Sequence, residues 1–112
     1  MPPGDSTSRF TIATPQPLLE QIRQWATEAT RLGLRSEFLT AIREMNERLE
    51  SDPKGWGDLL REYEMIDAVE MRRLMPKWLL VWYGVHDLAR QVVIRHLFPA
   101  PGSPLTVPTP PM

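Results

Sequence analysis

The chain has no cysteine, only two histidines, and no apolar run long enough to cross a membrane. The first absence excludes disulfides and thiolate metal sites. The second leaves His86 and His96 as the whole supply of imidazole. No stretch approaches the about 18 consecutive apolar residues of a spanning helix, and the opening MPPGDSTSRF lacks the basic-then-apolar pattern of a secretory signal. A cytoplasmic protein with no cofactor, no bound metal and no membrane partner is therefore expected. The net charge of −1 removes the cationic excess that drives general nucleic-acid binding by phosphate neutralisation. A local patch remains open, since residues 1–66 carry eight basic and eleven acidic side chains whereas residues 67–112 carry five and three. A glycine-rich phosphate loop, a nucleophile elbow and paired carboxylates or imidazoles at metal spacing are missing as well.

What is present is one domain's worth of chain, 112 residues with ordinary hydrophobic content, enough for a single core. Proline is the compositional excess: twelve in all, six of them in the last fourteen residues. The expected organisation is a frayed segment 1–8, a single domain 9–98 and a proline-rich tail 99–112 that is extended or polyproline-like.

RFTIAT, Arg9 to Thr14, alternates as a short strand does. Pro15 and Pro17 end it and suit the first turn of a helix. Leu18, Ile22, Trp25, Ala29 and Leu32 then step by four and three, one stripe of an α-helix that Gly33 terminates. Ser36 is placed to cap a second helix, with Glu37 in its first turn and Phe38, Ile42, Met45 and Leu49 as its stripe, stopping at SDPKG. So short a connection makes the two helices antiparallel. Met71 to Met75, Trp78 to Val85 and Gln91 to Phe98 read as strands, the second apolar on both parities like a strand covered on both faces, with Trp78 and Trp82 on one side. HDLA between the last two is a hairpin loop. The order β-α-α-β-β-β predicts an α+β fold, a helical hairpin on one face of a mainly antiparallel sheet.

With this order, the segment LESDPKGWGDLL closing the second helix, the strand VWYGVHD and the strand RQVVIRHL, the chain from Phe10 to Phe98 resembles the RelE/ParE toxin superfamily of type II toxin–antitoxin pairs. The Asp-Pro followed by Gly, and Val81, Tyr83 and Val85 as V-x-Y-x-V, carry that resemblance. It implies a toxin-like component bound by a small, partly disordered antitoxin, with either messenger RNA on the ribosome or DNA gyrase as target. RNA-cleaving members carry an Arg and then a Tyr or His just after the last strand, and here that place holds prolines. A partner-binding protein without a complete catalytic set is the reading that follows; a ribosome-dependent endoribonuclease and a non-toxic structural domain are the alternatives.

Strand scission by a 2′-hydroxyl needs a proton acceptor, a proton donor and a cation for the developing charge. The available cations are Arg72, Arg73, Lys77, Arg90 and Arg95, with His96 beside Arg95 as an acid–base candidate. Successive strand residues face opposite ways, so only one of Arg95 and His96 is expected to join a patch. Trp56, between Gly55 and Gly57, is a candidate partner contact, weighed against a role as a lid on the core edge.

Overall fold

The computed structural model describes residues 9–105. The expectations for residues 1–8 and for 106–112 lie outside the described residues. The chain runs β1 (Thr11–Ala13), α1 (Gln16–Arg31), α2 (Arg35–Ser51), a single turn α3 (Pro53–Trp56), β2 (Asp58–Tyr63), a 3-10 turn (Glu64–Ile66), β3 (Ala68–Met75), β4 (Leu79–His86) and β5 (Gln91–Pro99). The fold is α+β, with the helical hairpin on one face of a five-stranded mixed sheet of order β1-β5-β4-β3-β2. Among the described strands the β1–β5 pair is parallel and the other three pairs are antiparallel.

Helix α1 starts at Pro15, whose fixed φ (−56°) suits the N-cap, and its stripe buries Trp25 and Ala29 with Leu18 and Ile22 partly covered. Gly33 follows with φ 75°, a conformation that costs glycine little. The Leu34 amide donates back to the Ala29 carbonyl at 2.7 Å, so α2 begins at once and Leu34, packed against the core, takes the N-cap. Ser36 therefore lies inside the first turn and makes no cap, contrary to expectation. Phe38, Ala41, Met45 and Leu49 of α2 are buried. Burial of each of the three large ones, Phe38, Met45 and Leu49, stabilises the fold by about 1.5–3 kcal/mol.

These helices cover Met71 and Met75 of β3, Leu79, Val81, Tyr83 and Val85 of β4, and Val92, Ile94 and Leu97 of β5. Strand β1 is held at the far edge by the Phe10 amide on the Glu50 carbonyl (2.9 Å) and the Thr11 amide on the Arg90 carbonyl (2.9 Å).

The structure adds β2, which the alternation of its residues does not announce. Leu59 pairs with Met71 and Arg61 with Glu70, so Leu60 is an extra residue and the period of two is broken there. The tight turn from Met75 to Trp78, with Lys77 at φ 77°, also changes a face assignment. Trp78 precedes β4 and is in the core, edge-on to Phe38 at 5.6 Å; Trp82 lies on the sheet's other face. Among the described residues no helix covers that other face.

The chain stays in the fold beyond Phe98. Pro99 belongs to β5 opposite Leu79, and β1 pairs only with Gln91–Val93, so the missing proline N–H falls on a free edge. The Ala100 amide donates to the Trp78 carbonyl (3.0 Å), and Ala100 and Leu105 are buried. The start of the expected tail is thus anchored by the burial of Ala100 and Leu105, which its proline content obscures. Among the described residues, no helix is long and apolar enough to cross a membrane.

Candidate functional site

Strand β5 also carries a bulge. Trp82 pairs with His96 but Tyr83 pairs with Ile94, leaving Arg95 as an unpaired extra residue. A regular ladder would put Arg95 and His96 on opposite faces, and the bulge removes that regularity. Ile94 and Leu97 both point into the core, and the two residues between them are both exposed. His96 meets the Trp82 ring edge-on at 5.5 Å and stacks on Phe98 at 6.0 Å with 21° between planes. Phe98 in turn meets Trp82 edge-on at 6.4 Å. Arg95 lines a depression of about 250 Å³ floored by Gly84, together with Tyr63, Glu70 and His86. The Tyr63 hydroxyl donates to Glu70 Oε2 at 3.3 Å across one wall.

The bulge therefore brings Arg95 and His96 to the same open face, where Arg72, opposite Trp82 in the ladder, is exposed as well. Leu74 and Phe98 are each 46% exposed on this face. The indole N–H of Trp82 is buried and meets no acceptor among the described residues. The surface is thus an aromatic strip with guanidinium groups beside it, a combination that can stack on planar groups and pair with anions.

The remaining candidates are elsewhere. Arg73 projects to the helix-covered side, donating to the Trp56 carbonyl at 3.2 Å with its guanidinium 5.5 Å from the Trp56 ring. Lys77, in the β3–β4 turn, places Nζ 5.3 Å from the Trp78 ring. Arg90 is at the other end of the sheet, over Phe10 at 4.3 Å and 3.6 Å from Asp87. The five cations do not form one cluster, because residues adjacent in sequence face opposite ways and the turns draw two of them onto aromatic rings. Trp56 is buried, 6.0 Å from Tyr83, and closes the core edge.

The segment after α2 is built around Tyr83. Asp52 caps α3 by accepting the Gly55 amide at 3.1 Å, and Pro53 occupies the first turn. The Tyr83 hydroxyl donates to the Pro53 carbonyl at 2.6 Å. Burial pushes this phenol above its ordinary value, outweighing the opposing effects of the Gly57 backbone and Arg73. A side chain at Gly57 would place its Cβ 2.5 Å from the Tyr83 hydroxyl oxygen and 3.0 Å from the Arg72 carbonyl oxygen, so the backbone here needs glycine for close approach.

Phe98, Glu70 and Tyr63 also line this face without a signal in the sequence, and His86, expected in the hairpin loop, is the last residue of β4. The polar pair Arg95-His96 inside an apolar strand is the one signal that pointed here. Among the described residues, no group of three or more His, Asp or Glu side chains is arranged to hold a metal ion. In comparisons with protein-family models, curated proteins and solved structures, none matches the chain.

Proposed function

We propose that the chain is a RelE/ParE-like toxin component of a type II toxin–antitoxin pair, working in the cytoplasm by binding a macromolecular partner through the open face of its sheet. The observation that carries the reading is that face itself: Trp82, His96 and Phe98 in mutual ring contact, with Arg72 and Arg95 exposed beside them and no helix above among the described residues. Aromatic and arginine side chains are the residue types that anchor macromolecular contacts. The order of elements and the Asp52–Gly57 segment seated on Tyr83 support the family resemblance. The small antitoxin and the target, gyrase or the translating ribosome, belong to this proposal.

The test is induced expression with growth as the readout. Growth arrest that is relieved by co-expression of a small chain encoded beside this one, and lost in a folded Arg95→Ala, Phe98→Ala variant, is the expected result. Unimpeded growth favours instead a structural domain that keeps the fold without toxicity. A second reading, a ribosome-dependent endoribonuclease, is favoured by the Arg95 bulge, which puts a guanidinium and an imidazole on one face. In that reading Arg72 and Arg95 hold phosphate and His96 moves the proton. Mapping RNA ends after induction separates the two: new translation-dependent ends abolished by His96→Gln establish cleavage, and their absence during growth arrest leaves binding.

A further inference from the structure

We propose that the loops joining β2 to β3 and β4 to β5 form a docking groove for a basic, amphipathic segment of a partner protein. The two loops are built as one unit. Asp67, at φ 48°, accepts the Leu88 amide through Oδ2 at 3.1 Å, tying the β4–β5 turn to the 3-10 turn Glu64–Ile66. Aspartate is one of the few residues other than glycine that take up left-handed backbone readily. The tie holds three large apolar side chains in solvent around one groove of about 460 Å³: Met65 at 100% exposure, Leu88 at 87% and Ile66 at 62%. Apolar side chains displayed together in this way mark an interaction surface rather than ordinary scattered exposure.

The charge of the groove selects the partner. Among the described residues its lining includes the carboxylates of Glu64 and Asp67 and His86, and neither lysine nor arginine. Of the cations on neighbouring segments, Lys54 lies 3.4 Å and Arg90 3.6 Å from Asp87, Arg61 lies 5.9 Å from the Tyr63 ring, and Arg95 lines the adjoining depression, which shares Ile66 and His86 with the groove. An apolar groove edged by carboxylates complements an apolar side chain flanked by lysine or arginine, and it repels an acidic peptide or an anionic membrane surface. This inference stands independently of the toxin reading, which rests on Arg72, Trp82, Arg95, His96 and Phe98.

The experiment titrates the isotopically labelled full chain with two synthetic amphipathic helical peptides, one of leucine and lysine and one of leucine and glutamate, following amide shifts. Shifts concentrated at residues 64–67 and 86–89 with the lysine peptide, and none with the glutamate peptide, are expected. Met65→Ser and Leu88→Ser, both at exposed positions, should each weaken binding about tenfold, the loss of one desolvated apolar anchor. Glu64→Lys should weaken it as well. Shifts centred on the open sheet face, equal binding of the glutamate peptide, or unchanged affinity in the serine variants would overturn the proposal. So would a concentration-dependent dimer abolished by Leu88→Ser, which would give the groove to a second copy of the chain.

Discussion

The Tyr83 hydroxyl donates to the carbonyl oxygen of Pro53 at 2.6 Å, joining two segments that are 30 residues apart. The Asp-Pro-x-Gly segment after α2 and the Val-x-Tyr-x-Val strand are thereby one structural unit. Tyr83→Phe leaves the Pro53 carbonyl without its partner, and a buried acceptor left unsatisfied costs about 1–3 kcal/mol. Denaturant unfolding should show that loss as a lower midpoint.

The same phenol sets an alkaline limit. Its ordinary value is about 10 in an unfolded chain, and burial raises it in the fold. Its contribution to stability is fully present below about pH 10 and is lost as pH rises toward the folded value, because only the unfolded chain ionises readily there. Stability profiles above pH 10 should fall less steeply in Tyr83→Phe than in the parent.

Gly57→Ala forces a methyl group against the same hydroxyl. Overpacking of this kind costs about 1–3 kcal/mol. Combined with Tyr83→Phe, part of the clash disappears with the oxygen, so the double variant should be more stable than the sum of the two losses. Strict additivity in a double-mutant cycle would show that the alanine is resisted by the Arg72 carbonyl instead.

Deleting Arg95 should be tolerated. It is the unpaired residue of the β5 bulge, and its removal leaves Ile94 and Leu97 inward with His96 and Phe98 outward, restoring a regular ladder. The ring-current shift that Trp82 imposes on His96 should survive the deletion, and Arg95→Ala should change stability by less than about 0.5 kcal/mol, as at other exposed positions. Loss of the His96 signal on deletion would show that the bulge holds the aromatic strip in place.

Leu105→Ala should destabilise the domain by about 2–5 kcal/mol, the range for truncating a buried leucine, since that residue is packed into the core beyond the last strand. A change within error would mean that the segment after β5 carries no weight in folding.

Much of the fold is legible in the sequence because helices announce themselves locally. Trp25, Ala29, Phe38, Met45 and Leu49 repeat at helical spacing, and all five are buried. Strand β2 escaped because Leu60 breaks its alternation and its pairing with β3 is the only thing that defines it. The site was half legible for a related reason. Arg95 and His96 stand out as polar residues in an apolar strand, but which face each takes depends on a one-residue insertion visible only in the ladder. Arg73 and Arg90 read as free cations, and their ring partners Trp56 and Phe10 come from distant segments.

The bulge at Leu60 also bears on how the protein behaves at high concentration. Strand β2 is one rim of the sheet, and its exposed residues include Asp58, Arg61 and Glu62 beside that bulge; the other rim, β1, is three residues long and is followed by Pro15. Charges, a kink, brevity and proline are the devices that stop strands of neighbouring molecules from stacking into fibrils. Replacing Leu60 by deletion while neutralising Arg61 and Glu62 would straighten that rim, and the resulting chain is the one expected to seed amyloid-like assembly.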